Sequence, residues 1–330
     1  MPWSKELFSP HQSIPTQEAS KTTSHDHGRQ PRRPATIAVI GAGAIGCYLA
    51  AESQKAGHHV TVCVRTPFER LLLETAEQTV EIPVAITSQP QRQTVVDWVF
   101  LTTKTQDTAG AKPWLQHLVG PGTVVVVLQN GITHRDRLLP LMATGTILPA
   151  LVYVAAERVA PGHVIHRGGS HIVVPASAAA AGFADLLQGT HTEVRQDTDF
   201  ATAAWRKLLS NVAANPLTTL TVQRLGVLRH PDIARLARGL LRETVTVARA
   251  EGAQLGDHDV EATLDLYSGF SLDSGTSMLY DRLANRPLEY EAITGEVVRL
   301  AERHGLDIPL NQTILALLRG MQQGAPTASP

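Results

Sequence analysis

The chain has 330 residues, enough for two domains and a sizeable core, and 43% of them are hydrophobic, as expected of a globular protein. Its formal net charge is −1, so no strong field draws it to nucleic acid or to an anionic membrane. The two cysteines, Cys47 and Cys63, exclude a disulfide framework or a cysteine-based metal site, and no apolar run reaches the ~18 residues of a membrane span.

Residues 1–34 are polar, with scattered Pro, Ser and His and no apolar signal-peptide core, and they read as a disordered tail. Glu6, Glu18 and Asp26 speak against the alternative of a transit peptide, and Arg29, Arg32 and Arg33 read as solvated charges. Residues 324–330 read as a second disordered tail. With neither signal core nor membrane span, a cytoplasmic location is expected.

The ordered chain opens with a strand, Thr36–Ile40, that runs into Gly41-Ala42-Gly43-Ala44-Ile45-Gly46. A helical run follows to Ala56, Gly57 ends it, and a second strand is expected over His59–Val64. This strand–turn–helix–strand unit predicts a dinucleotide site. Gly41 permits the tight turn, Gly43 lets the backbone approach a pyrophosphate, and Gly46 lets helix and strand pack closely. The free N–H groups of the helix start then face the phosphates. Arg65 ends the second strand, where NAD enzymes usually place an acidic residue for the ribose 2′-hydroxyl; an arginine suits the 2′-phosphate of NADP instead, and Thr66 adds a hydroxyl. The bland alternative is a solvated arginine at a loop start. Cys47, near the helix N-terminus, is either a thiol of lowered pKa or, as we expect, a small buried apolar residue.

Further along, Phe68–Glu74 reads as a short helix and Val80–Thr87 as a strand. Val95–Thr102 is a strongly apolar strand ending at Lys104, Asp107–Val119 a helix with Pro113 near its start, and Thr123–Leu128 a buried strand ending at Gln129-Asn130-Gly131. Alternation of strands and helices implies a parallel sheet, whose ligands bind beyond the carboxyl ends of its strands. Gly41–Gly46, Arg65, Lys104 and Asn130 all fall at such ends. Taken alone, Lys104 is either a phosphate or carboxylate partner or a solvated charge, and Asn130 either a ligand for substrate or nicotinamide or part of an Asn-Gly turn. Residues 147–174 read as further strands turning at Ala160-Pro161-Gly162; His163, His166 and His171 fit exposed strand faces better than any metal motif. A helix over Ala178–Gln188 and a strand over His191–Arg195 close the first domain, 35–198.

From 199 to 323 only helical patterns appear: Ala201–Leu220, Pro231–Glu251, Asp257–Tyr267, Ser274–Leu283, Pro287–His304 and Leu310–Met321. The expected fold is an α/β Rossmann-type N-terminal domain with a mainly parallel sheet, followed by an all-α C-terminal domain. A cleft between the two is the default active-site location. On the first of these helices Lys207, Asn211 and Asn215 are spaced by four and stack along one face among Leu208, Leu209, Val212 and Ala213. Asn215 precedes Pro216, so a kink is expected there; an ordinary solvated stripe is the alternative. Ser277 and Glu289 form another candidate pair, though Pro287 at helix position N1 would make Glu289 a capping carboxylate at N3.

Together these motifs resemble the ketopantoate reductase (2-dehydropantoate 2-reductase) family from about Thr36 to Leu318. The resemblance rests on GAGAIG, Lys104-x-x-Asp107-Thr108, Gln129-Asn130-Gly131, Trp205-Arg206-Lys207, Asn211, Asn215-Pro216-Leu217-Thr218, Ser277-Met278-Leu279-x-Asp281 and Glu289. It implies an NADPH-dependent reduction of a 2-oxo acid to a 2-hydroxy acid, and a 6-phosphogluconate-dehydrogenase-like helical domain. It further implies that Lys207 is the proton donor, and that Asn130, Asn211, Asn215 and Ser277 hold substrate, with Asn130 also close to the cofactor. By the same resemblance Lys104 lines the cofactor and substrate cleft, Glu289 serves cofactor contact and catalysis, and Ala156 offers NADPH a backbone contact. Such a reaction suits these groups: an ammonium stabilises the charge that develops on the ketone oxygen and then supplies the proton, and desolvation eases its release.

The sequence departs from the family in three places. Thr133 replaces a second glycine after Gly131, Val152-Tyr153-Val154 stands where relatives carry a threonine-rich run, and Leu225 stands where a substrate-binding asparagine can occur. All lie near the expected substrate, which stays open between ketopantoate and another 2-oxo acid or related carbonyl compound. A small molecule is the expected partner, with neither nucleic acid nor membrane; a homodimer is compatible with the sequence. A non-catalytic NADP-binding protein is the reading from another class, and the intact Lys207, Asn211, Asn215, Ser277 and Glu289 set argues against it.

Overall fold

The computed structural model describes residues 33–323; the tails expected at 1–34 and 324–330 lie outside the described residues, apart from Arg33 and Pro34. Strands β1 (Thr36–Ile40) and β2 (His59–Cys63) flank helix α1 (Ala44–Lys55), as the glycine spacing predicts. Then come β3 (Leu71–Glu74), β4 (Thr79–Ile82), β5 (Ala85–Thr87) and β6 (Trp98–Leu101). A 3-10 segment, Thr105–Ala111, leads into α2 (Lys112–Leu118), β7 (Val124–Val127), α3 (His134–Leu138) and β8 (Thr146–Pro149). The α/β half ends with β9 (Leu151–Ala160), β10 (His163–Pro175), α4 (Ala178–Leu186) and β11 (Glu193–Asp197).

Six strands form an all-parallel sheet in the order β5-β2-β1-β6-β7-β8. Ile37 and Val39 of β1 join the core on the α1 side, and Ala38 and Ile40 the core around Trp114, Leu115 and Leu118. Both faces are thus buried, which is why these strands read as continuous apolar runs. The chain leaves β1 towards β2 and β5 on one side and returns to β6, β7 and β8 on the other, so the sheet's switch point lies between β1 and β6. Ligand crevices form at such points. A second sheet, β11-β10-β3-β4 with β9 paired to β10, lies on the far side of α1, which is buried continuously from Gly46 to Ser53.

Several local expectations are corrected. Phe68–Glu74 holds a strand rather than a helix: Leu71 and Leu73 are buried in alternation, and Leu71–Glu74 pairs antiparallel with β4 and parallel with β10. Three consecutive leucines suit either period, and tertiary pairing decides. Val80–Thr87 is two strands in different sheets, parted at Pro83, which has no N–H for a ladder. The helix expected over Asp107–Val119 is 3-10 to Ala111 and α-helical only from Lys112, with Pro113 in its first turn. β11 begins at Glu193, not His191.

The C-terminal half is all-helical among the described residues: α5 (Phe200–Val212), α6 (Ala214–Thr221), α7 (Pro231–Ala250), α8 (Asp257–Gly269), α9 (Ser277–Leu283), α10 (Glu296–His304) and α11 (Pro309–Gln323). α7, 20 residues long, packs against α5, α8, α10 and α11 around its buried Leu240, Leu241 and Val247. The break expected beside Asn215 falls at Ala213, between α5 and α6. The element expected from Pro287 starts at Tyr290 and passes through a π turn, Glu291–Gly295, before α10. Glu289 therefore precedes the helix and is not at N3, so the capping reading fails.

Candidate active site

The glycine turn sits at the switch point. Gly41 has φ +105°, and a Cβ on Gly46 would stand 2.0 Å from the Gly41 carbonyl oxygen and 2.4 Å from Thr102 Oγ1, so both glycines are demanded by the protein itself. Gly43 differs: the nearest atom to a Cβ there is Thr102 O at 4.0 Å, so the open space belongs to whatever approaches the backbone. Thr102 donates its hydroxyl to the Gly41 carbonyl (2.7 Å), tying the end of β6 to the turn. α1 has no side-chain cap and no acidic residue in its first turn, leaving its N–H groups for an anion. These features fit a dinucleotide's pyrophosphate. β2 ends at Cys63, two residues before Arg65, whose side chain is 88% exposed and whose Nη2 lies 3.9 Å from Asp107. Cys47 is buried and its pKa is pushed up to about 11, which excludes the reactive-thiol reading.

Lys104 is not a solvated charge. Leaving the end of β6, its ammonium reaches Asp281 of α9 at 2.7 Å and Glu289 at 3.1 Å. Glu289 is only 6% exposed and also accepts hydrogen bonds from the Thr105 N–H (3.0 Å), the Thr105 hydroxyl (3.2 Å) and Asn130 Nδ2 (3.0 Å). Gln106 adds a bond to the Pro287 carbonyl, and Arg286 pairs with Asp281 at 3.0 Å. Burial works to raise the Glu289 pKa, but the Lys104 charge and the donated hydrogen bonds outweigh it and hold the carboxyl below its usual range. For Lys104, burial works downward and the two carboxylates outweigh it, so its pKa is raised.

On the other wall stands Lys207, one turn before Asn211 on α5. Both line a cleft with Asn130, Gly131, Leu151 and Val152, between the loop after β7, the start of β9 and α5. The cavity measures about 20 Å³, room for roughly one water molecule. Lys207 is partly exposed, yet desolvation by the surrounding protein pushes its pKa down to about 8. Its Nζ lies 4.6 Å from the centroid of the Tyr153 ring.

The structure thus brings Lys207, Asn211 and Asn130 to one cleft, and Lys104, Glu289 and Asn130 to one network, with Asn130 shared. Asn215 lies beyond the Ala213 break and is buried, 4% exposed, without lining the cleft. Ser277 is exposed at the start of α9, one turn before Asp281 and so on the face turned towards Lys104. Ala156 of β9 pairs with His166 of β10 and, like Ala42 and Ala44, packs against the core on the α1 side. Thr133 has φ −94°, so the family's glycine is not needed there, and Leu225 is buried in the helical core. The three histidines are partly buried rather than exposed: His163 meets Glu74, His166 stacks on Tyr48 and His171 on Tyr153.

Sequence reasoning missed Thr102 and Thr105, and it overlooked Arg137, which donates to the Asn130 carbonyl at 3.0 Å. Threonines after a strand carry no signal of their own. Asp281 stood inside a quoted motif without a role.

The model of the ketopantoate reductase PanE/ApbA family matches residues 37–179, and that of its C-terminal part matches residues 199–322. A 2-dehydropantoate 2-reductase of Caulobacter vibrioides is 40% identical over 284 residues, covering 86% of this chain and 98% of that protein. One from Mycobacterium tuberculosis is 38% identical over 290 residues, covering 87% and 98%. Among solved structures, the dimeric ketopantoate reductase of Staphylococcus aureus superposes with a TM-score of 0.81 at 29% identity, over 87% of this chain and 99% of that one. By its sequence along nearly its whole described length, and by the fold and cleft built from it, this chain belongs to the ketopantoate reductase family.

Proposed function

We propose that this protein reduces 2-dehydropantoate (ketopantoate) to pantoate with NADPH, a step of pantothenate and coenzyme A synthesis. The observation that carries this reading is the single cleft where Lys207, Asn211 and Asn130 meet beyond the carboxyl edge of the parallel sheet. Identity of 40% and 38% to two 2-dehydropantoate 2-reductases supports the choice of substrate.

In this reading Gly41, Ala42, Gly43, Ala44, Ile45 and Gly46 cradle the pyrophosphate. Arg65, exposed and in long contact with Asp107, turns to the 2′-phosphate. The cofactor, when bound, supplies the hydride to the ketone carbon. The Lys207 ammonium faces the charge that grows on the carbonyl oxygen and donates its proton there; a pKa of about 8 keeps it mostly charged at neutral pH and eases release. Asn130 and Asn211 donate hydrogen bonds without adding charge, and Asn215 and Ser277 complete the grip on substrate. Glu289, fixed by Lys104, Thr105 and Asn130, orients those groups on the cofactor side, where Ala156 offers a backbone contact.

We place the units at 35–198 and 199–323, with polar tails outside them. A homodimer fits the dimeric Staphylococcus aureus relative. A cytoplasmic location belongs to the same reading; among the described residues no helix is long and apolar enough to cross a membrane. The second reading is a family member acting on a different 2-oxo acid or carbonyl compound; the apolar Leu151 and Val152 in the cleft wall fit a branched chain in either case.

Purified protein should oxidise NADPH when ketopantoate is added, and a panel of 2-oxo acids separates the two readings; inactivity on all members would sink both. Arg65→Asp should raise the KM for NADPH by about ten- to a hundredfold, the scale of a charged hydrogen bond, and spare NADH. Equal effects on the two would remove the 2′-phosphate contact.

A further inference from the structure

We propose that Tyr153 is a positioning residue for Lys207: with His171 stacked on it, its ring forms a neutral aromatic shelf that holds the ammonium at the cleft. The proposal rests on the proton-donor role given to Lys207 above. Lys207 Nζ lies 4.6 Å from the ring centroid, inside the ~6 Å reach of a cation–π contact. His171 stacks on the same ring with centroids 4.5 Å apart and planes 11° apart, which fixes the plane of the phenol.

The backbone holds this pair in register. Tyr153 and His171 are opposite each other in the antiparallel β9–β10 ladder, and the register shifts between Gly168 and His171. At that irregularity Gly169 has φ +65°, and a Cβ on it would stand 2.4 Å from the Tyr153 carbonyl oxygen. Strand irregularities of this kind re-aim side chains near active sites. Here the close approach of Gly169 to the Tyr153 carbonyl leaves no room for a side chain between the two strands. The tyrosine falls within Val152-Tyr153-Val154, whose neighbour Val152 lines the cleft.

The charged and titratable groups facing this assembly come from every packed element: Tyr153 from β9, His171 from β10, Glu193, Arg195 and Asp197 from β11, and Arg206 beside Lys207 on α5. Burial pushes the Tyr153 phenol up to about 12, and burial with the Arg195 charge pushes His171 down to about 4. Both rings are therefore neutral at physiological pH. A carboxylate in the same place would also hold the ammonium, but it would raise the lysine's pKa and oppose proton release. The ring face attracts the cation far more weakly. It gives Lys207 a fixed direction while leaving the effect of desolvation largely intact.

The test is the pH profile of kcat/KM for NADPH-dependent ketopantoate reduction by the full chain. Wild type loses activity as pH rises through the Lys207 pKa, because the acid form is consumed. Tyr153→Leu should move this alkaline limb down by roughly half to one pH unit, the worth of a cation–π contact, and lower kcat more than it raises KM. Tyr153→Phe should match wild type. Replacement of Tyr153 by 4-fluorophenylalanine and then 3,4,5-trifluorophenylalanine keeps the ring shape, drains its face of charge, and should move the limb down in steps. A limb that stays put across the fluorinated series, or Tyr153→Phe behaving like Tyr153→Leu, overturns the proposal. A wild-type enzyme with no alkaline limb, or full activity in Lys207→Ala, overturns the proton-donor reading beneath it.

Discussion

Two lysines from opposite halves of the molecule, one in the network that joins Glu289 to Asn130 and one in the cleft that Asn130 lines, have surroundings that differ in kind. Lys104, from the sheet side, reaches two carboxylates of the helical half and has a raised pKa. Lys207, from the helical side, meets an aromatic ring of the sheet side, and desolvation brings its pKa down to about 8. The first charge is neutralised and joins the halves. The second has no carboxylate partner among the described residues, which suits the proton-donor role proposed for it. The two cations are thus set apart by what each is placed against.

Lys207→Ala tests the contrast most severely. It should lower kcat/KM for the reduction by about 10²–10⁴, followed through NADPH absorbance, with little change in melting temperature; the reverse pattern would dissolve the distinction. Glu289→Gln keeps the shape and removes the charge. It should cost about 1.5–3 kcal/mol, the scale of charge-assisted hydrogen bonds, read as a fall of several degrees in Tm. The pH dependence of that fall sharpens the point. Because the folded-state pKa of Glu289 is depressed, its contribution is fully present above the unfolded value of about 4.3 and is lost as pH falls through the folded one. Wild type and Glu289→Gln should therefore converge in acid. The smallest effect needs no mutation: reduction should decline above about pH 8 while pantoate oxidation, which needs the neutral amine, rises through the same range.

Much of this arrangement was legible in the sequence because its signals are local. Gly41, Gly43 and Gly46 each answer a constraint within one turn, and the apolar strands announce a sheet buried on both faces. Lys207 and Asn211 share a helix face by spacing alone. What was hidden depends on distant partners. Lys104 and Asp281 are 177 positions apart, and Thr105 and Glu289 are 184. No periodicity reports a bond across that separation, so Lys104 alone read as a solvated charge and Glu289 as a cap. The second sheet was missed because Leu71–Leu73 suits either period, and the π turn after Glu289 because its pattern resembles an ordinary helix start.

Gly131 sits where the loop after β7 meets the helical half. It has φ +93°, and a Cβ there would stand 2.7 Å from the Ala292 carbonyl oxygen on the π turn. Backbone rests on backbone at this point, beside Asn130 and close to Glu289. The space there is filled by backbone and by the Arg137 guanidinium, whose Nη1 would stand 3.0 Å from the same Cβ. A single methyl group placed on it would act as a wedge between the loop after β7 and the π turn, pushing Asn130 away from Glu289.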